Sequence, residues 1–558
     1  MTRLMNSYRR MALAAGTAAL FSVGATRAFA GQTAALPSVT TQHYDNMRTG
    51  TNSNETILTP ASVKTMSATP LFTLTLDDNV AGQVLYLPQL MIKDAGGLTK
   101  TRNVLFAYTA NGFYNGSASS VYAFDADDGT PVWRHSLPAS ALWTTATPVI
   151  DPATNTIYVI TKEPGTYIEN GHDRGDGGPT KLHALDVLTG AEKAGSPVTL
   201  AAQVVGNGDG NKNHVITFNS AQENCRPALL FVNGAVYCAF AHNSDSYPYQ
   251  GWVLGYNYDG TQFKQTGAFC TAKNGGDAGI WMAGMGLAAD AQGSIYTTVG
   301  NGTCTVFAGG SSYAMTVLKL QTPRLFALDW FAPYDERKQS DQDLDLGNVG
   351  VIGIPGTNRL FTGATKFGSV FLLDSTNMGK YAAKAPDKVV RRVDGVTSND
   401  NVGQNPVAFD TGAGAAKYVY IWGSGSEIGQ FKYDSVTNDF SLKSGSTAGF
   451  NTHTNNVTRG GSMTVSANGA ANGILWAVGN DNIVRAFDAT DLSQPPLWTN
   501  ASKALPSVGH FQFPVVVNGK VYVPTGSGTV VVYGLSAPAS VPPVRSRQPV
   551  KIEAPLAQ

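Results

Sequence analysis

Apolar residues in this chain recur in short runs, often at every second position, and nearly every run is closed by Gly, Asn, Asp or Pro. The stretch VYAFDADDGTPVW, Val121 to Trp133, predicts an alternating strand, a tight turn at Asp127-Asp128-Gly129, and a second strand ending on an indole. Variants return as LHALDVLTGAEK from Leu182, VLGYNYDGTQF from Val253, VFLLDSTNMGKY from Val370, FKYDSVTNDF from Phe431 and VRAFDATDLSQPPLW from Val484. Upstream of the phrase comes a hairpin of the form Pro, apolar run, turn, apolar-Tyr-apolar. TPVIDPATNTIYVI from Thr147, PALLFVNGAVYCAF from Pro227 and FPVVVNGKVYVPTG from Phe513 show it, with Asn-Gly or Pro/Asn punctuation where the chain must reverse.

Two hairpins make one four-stranded sheet. Such units are expected at 85–136, 145–198, 226–270, 282–331, 349–381, 405–442, 461–498 and 510–535. A four-stranded sheet cannot bury both of its faces alone, so the units must stack face to face around an axis. The expected fold is an all-β, eight-bladed propeller of antiparallel blades. The last unit has only three clear strands, and LFTLTLD, Leu71 to Asp77, precedes the first, so this N-terminal strand is expected to complete the last blade and close the ring.

Within the phrase, Ala123, Ala184 and Ala486 are small where neighbouring blades approach. Asp125, Asp186, Asp374 and Asp488 can accept turn amide protons, and Gly129 and Gly190 supply positive φ. Trp133 and Trp498 can wedge between blades. These residues read as structural.

Outside the propeller region of 69–535, the N-terminus has basic residues (Arg3, Arg9, Arg10), then MALAAGTAALFSVGA, then small residues around Ala28-Phe29-Ala30. This is the layout of an export signal over residues 1–30, cleaved near Gly31; its apolar run, about 15 residues, is short of the ~20 a spanning helix needs. Arg9-Arg10 also allows a twin-arginine reading. The mature protein is expected in the periplasm or outside the cell. Residues 31–68 are expected to wrap the surface, and the Pro-rich stretch 536–558 to be a disordered tail.

Charged residues make up only 14% of the chain, and Lys+Arg balances Asp+Glu at 39 each. No large field of one sign is implied, which argues against nucleic acid or an anionic membrane as the main partner. Cys225, Cys238, Cys270 and Cys304 form an even set; in an exported protein this suggests two disulfides, with three possible connectivities. No Cys near residue 31 suggests a lipid anchor, and no C-x-x-C-H attaches a haem.

The repeated Ala-x-Asp-x-x-x-Gly-x-x-x-Trp phrase resembles the repeat of pyrroloquinoline-quinone (PQQ) propellers, the quinoprotein alcohol dehydrogenase-like superfamily, over roughly Leu71 to Leu535. NMRTGTNSNETILTP, LHALDVLTGAE, YPYQGWVLGY and GIWMAGMGLAADAQGSIYTTVGNG more closely resemble segments of secreted bacterial quinoprotein-like propellers without a settled activity. In the dehydrogenases a flat quinone stacks on a Trp, a Ca²⁺ polarises its carbonyl, and an Asp takes the substrate proton.

By this resemblance IWMAGMGLAADAQGSIYTTVGNG makes Trp281 the stacking floor and Asn301 a calcium ligand, with spacing about two residues longer than the family pattern. SDQDLDLGNVGVI makes Asp343 the general base and a metal ligand, flanked by Asp341 and Asp345, although the family's His and Trp are missing. ATKFGSVFLLD makes Lys366 the quinone-facing cation. Where the family has a Glu ligand, HNSDSYPYQGW has Ser246, and Asp245 could substitute from one residue away. The adjacent Cys-Cys pair is absent.

Two readings follow. One is a PQQ- and Ca²⁺-dependent dehydrogenase of an alcohol or sugar, with a separate electron acceptor. The other is a cofactor-free propeller that binds or scaffolds a protein or glycan, without stable membrane insertion.

Overall fold

The computed structural model describes residues 36–536, apart from 111–118, 138–143, 170–171, 175–176, 244, 246, 363–364, 398–404, 413, 415, 424–425, 446–460 and 510. The expected export signal over residues 1–30, Ser246 and nearly all of the Pro-rich stretch therefore lie outside the described residues. Hydrophobic alternation resolves into eight large sheets, each built on four antiparallel strands that follow in chain order except in the last, and the eight combine as a β-propeller. Blade 1, for example, contains Leu85–Lys93, Thr99–Thr109, Ser120–Asp125 and Pro131–Ser136 in order from the axis outward.

Face-to-face stacking explains why the middle strands read as nearly continuous apolar runs. Ser120–Asp125, Thr156–Lys162 and Ala235–His242 are buried at every position, because a neighbouring blade covers each face. Tyrosine hydroxyls tie blades together: Tyr108 donates to the Ile160 carbonyl (2.7 Å) and Tyr522 to that of Ala126 (2.9 Å). The turn aspartates accept amide protons, with Asp127 N to Asp125 Oδ1 at 3.0 Å and Thr490 N to Asp488 Oδ1 at 2.8 Å. Trp133 wedges between blades 1 and 2 and donates its indole N–H to the Val187 carbonyl (3.0 Å). Gly190, at φ 71°, is needed twice over, since a Cβ there would lie 2.5 Å from the Trp133 ring.

The ring closes as the hydrophobic pattern implies. Phe72–Thr75 pairs antiparallel with Thr529–Gly534, Phe72 opposite Val532 and Leu74 opposite Val530, and supplies the outer strand of blade 8. Blade 5 differs from its expected end at 381: its outer strand is Arg391–Val393. The chain first detours to blade 4, where Lys380 N donates to Trp330 O (3.2 Å) and its ammonium pairs with Asp329 (2.6 Å). Among the described residues three insertions also escape the repeat: the hairpins Tyr167–Glu169/His172–Arg174 and Gln203–Val205/Val215–Thr217, and the short helix Glu336–Asp341.

The expectation that residues 31–68 wrap the surface is corrected over much of that span. From Val39 to Asn52 the segment runs along the innermost strands and touches all eight blades. Its backbone bonds to Tyr86, Ile150, Ala289, Gly353, Ala408 and Val465 serve blades 1, 2, 4, 5, 6 and 7, at 2.7–2.9 Å. Side chains complete the circuit: Asn46 Nδ2 donates to Phe231 O in blade 3 (3.1 Å) and Asn52 Nδ2 to Val516 O in blade 8 (2.8 Å). Arg48 lies at its centre, fully buried, donating to the carbonyls of Gln42 (2.8 Å), Leu287 (2.9 Å) and Leu229 (3.2 Å). The inner strands offer backbone groups toward the axis, so this plug needs amides and a guanidinium more than apolar side chains.

The expected disulfides are also corrected: all four cysteines are free thiols. Cys225, Cys238 and Cys270 pack within one apolar cluster between blades 2 and 3. Burial pushes the Cys225 and Cys270 thiols up to about 12, so they act as small hydrophobes. No helix among the described residues is long and apolar enough to cross a membrane.

Candidate functional site

Strands alternate in direction, so the links between blades and the loops joining second to third strands emerge at the same end of the ring. A pocket of about 390 Å³ opens there among blades 3, 4 and 5 and the link into blade 8. Arg226, Trp281, Ala283, Asp345, Asn348 and Phe511 enter it from inter-blade links, and Asn243, Asp245 and Lys366 from second-to-third-strand loops.

Trp281, Asp245 and Lys366 thus line one pocket, and Asn301 adjoins it through Asp345. Of Asp341, Asp343 and Asp345, the one inside is Asp345, in place of the expected Asp343. Asp345's side chain is 6% exposed; that of Asp343 is 66% exposed and lies outside the lining. Asp343 has φ 54°, and this left-handed kink after the helix Glu336–Asp341 breaks the strand-like alternation that would have set the two carboxylates side by side. Asp341 faces away and pairs with Arg337 on the helix surface (3.0 Å).

Asp345 is fully engaged. Its Oδ1 accepts the Asn301 backbone N–H (2.8 Å), and its Oδ2 meets the Lys366 ammonium (2.7 Å). Lys366 also reaches Asp343 Oδ2 (3.4 Å) and donates to the Asp343 carbonyl (3.2 Å). Burial works against the ammonium, but the Asp345 and Asp343 carboxylates overcome it and leave its pKa above the ordinary lysine value. The Asn301 side chain turns to Asp343, donating Nδ2–H to Oδ1 (2.9 Å).

Trp281 is packed on several sides. The Arg226 guanidinium lies over its ring, 4.9 Å from the centroid, and Tyr249 meets it edge-on at 6.0 Å and 75°. The backbones of Gly279 and Gly300 come so close that a Cβ on either would lie 2.8 Å from the indole; at Gly300 it would lie equally close to Asp345 Oδ1. Burial lowers the Arg226 pKa to about 10, opposed by Asp245 and Tyr249, so the guanidinium stays charged at neutral pH. Tyr249 donates its hydroxyl to Asp245 Oδ1 (2.5 Å). Behind this wall burial, then the Asp245 and Asp209 carboxylates, raise Asp277 to about 6.

These residues do not fit the group the resemblance implied. Calcium takes six to eight oxygens and needs carboxylate charge to shed its water, yet the buried carboxylate here holds an ammonium. Among the described residues no group of three or more His, Cys, Asp or Glu side chains is arranged to hold a metal. A stacked quinone would need the Trp281 face that Arg226 covers, and the cation meant for it is bound to Asp345.

Arg226, Asn243, Asn348 and Phe511 were not singled out by sequence reasoning. Arg226, Asn348 and Phe511 each stand two to four residues before the apolar run of an inner strand. Superposing the repeats on that run would have marked this position as the one facing the channel mouth.

No family model matches the chain, and no curated protein matches its sequence. Among solved structures it is similar to BamB from Moraxella catarrhalis, with 13% identity and a TM-score of 0.45, covering 84% of this chain and 100% of that one. It is similar also to Saccharomyces cerevisiae Sqt1, with 10% identity and a TM-score of 0.48, covering 85% and 100%. Likenesses this distant say nothing of activity.

Proposed function

We propose that this protein is a cofactor-free binding propeller that holds its ligand in the pocket at the mouth of the central channel. The observation that carries the reading is the 2.7 Å ion pair between Lys366 and Asp345. It occupies, with a fixed protein cation, the place where a quinoprotein would need a carboxylate open to calcium. The pocket size is within the range of sites that enclose small molecules, and its wall mixes apolar surface with a few fixed polar groups. The leader read over residues 1–30 supports placing the ligand in the periplasm or outside the cell.

The test is to add PQQ with Ca²⁺ to the purified protein, then follow quinone absorbance, melting temperature and dye reduction with a panel of alcohols and sugars. The reading expects no spectral change, no rise in melting temperature and no turnover. A rise in melting temperature with dye reduction, both lost in Asp345→Asn, would replace it with the dehydrogenase.

A further inference from the structure

Resting on that reading, we infer that the pocket takes an uncharged sugar unit of a glycan. The charges in its wall are matched within the wall. Lys366 is bound to Asp345 and Asp343, and Arg226 feels the Asp245 carboxylate while lying on Trp281. A carboxylate or phosphate entering here would meet Asp345 and Asp245; an ammonium would meet Arg226 and Lys366. Either would have to break an existing pair in a partly desolvated site.

A neutral polyol meets no such opposition, because each hydroxyl both donates and accepts. One acceptor is waiting. Asn243 is held by its Nδ2–H to the Ala221 carbonyl (2.9 Å), while its Oδ1 is buried with no hydrogen-bond partner. Such an atom costs free energy until a donor reaches it. Phe511 and Ala283 supply an apolar patch in the same pocket, suited to the C–H face of a pyranose ring. The combination of apolar patch, amide acceptor and self-neutralised charges selects a ligand that is flat, hydroxyl-rich and without net charge.

The test is a printed array carrying neutral, uronic-acid and sialylated glycans together with unrelated peptides, probed with the full chain. Free neutral oligosaccharide serves as competitor, and parallel wells contain PQQ with Ca²⁺. The inference expects binding confined to neutral glycans, competed by the free sugar, and weakened at least tenfold in Asn243→Leu and in Phe511→Ala. Circular dichroism and melting curves establish that the variants are folded. Binding of acidic glycans or peptides that is lost in the same variants would overturn the sugar class while leaving a cofactor-free pocket standing. Binding of PQQ with Ca²⁺ would overturn the reading beneath it as well. An array with no bound feature would overturn the inference.

Discussion

The Arg226 guanidinium lies 4.9 Å over the indole of Trp281, and this contact decides how the channel mouth can be used. The resemblance places Trp281 where a stacking floor belongs, yet the floor presented to the pocket is partly a cation lying over the ring. Beside it the Lys366 ammonium is tied to Asp345. The pocket is therefore built from internal pairs, and its chemistry is recognition by fixed donors and acceptors.

The Lys366–Asp345 pair should be strongly coupled. Lys366→Met leaves a buried carboxylate without its cation and should cost about 2–4 kcal/mol. Asp345→Asn in the Lys366→Met background should recover much of that loss. Denaturant unfolding of the double-mutant cycle reads the coupling directly.

Asp277 sets a pH dependence. Its folded pKa, raised to about 6 from 3.8 by burial and then by Asp245 and Asp209, means that the folded state holds this proton more tightly than the unfolded chain does. Its contribution to stability is thus complete below about pH 4 and is lost as pH rises through about 6. Asp277→Asn, at a φ of 61° that Asn accepts, should raise stability at pH 7 by about 1 kcal/mol once solvent screening is allowed for. The difference should vanish near pH 4 in melting curves taken across that range.

The axial segment should contribute heavily to stability. Arg48→Ala would strip donors from the carbonyls of Gln42, Leu229 and Leu287 in a fully buried place. The expected cost is about 3 kcal/mol or more by denaturant unfolding. Arg48→Lys should not restore it, because one ammonium cannot span carbonyls that the guanidinium reaches with three nitrogens.

How much of this was legible in the sequence depended on the physical device involved. Blade stacking favours a small residue where blades approach and an Asp at the turn, and a Trp wedge in some repeats, so VYAFDADDGTPVW and its variants disclosed the ring, and the missing fourth strand of the last unit its closure by Phe72–Thr75. Lys366, Trp281 and Asp245 were placed by resemblance and do share a pocket. Asp343 was placed by aligning the flanking strand with the family's motif, and a short helix and a left-handed residue just before that strand set Asp345 in the pocket instead. The plug from Val39 to Asn52 stayed hidden because it is held by backbone amides and Arg48, which leave no hydrophobic period. The cysteines were paired by parity, whereas their packing in apolar cores leaves them as thiols.

Those thiols are countable. A thiol reagent added to the native protein without reductant should leave Cys225, Cys238 and Cys270 unreacted, since all three are buried. After unfolding, four thiols should react. Two or none would show that disulfides form.

Calorimetric titration of calcium into the metal-stripped protein, with and without PQQ, tests the central claim most directly. The account predicts only heats of dilution in both titrations, because the Lys366 ammonium already neutralises Asp345. Saturable binding of one calcium per chain, abolished in Asp345→Asn, would contradict it.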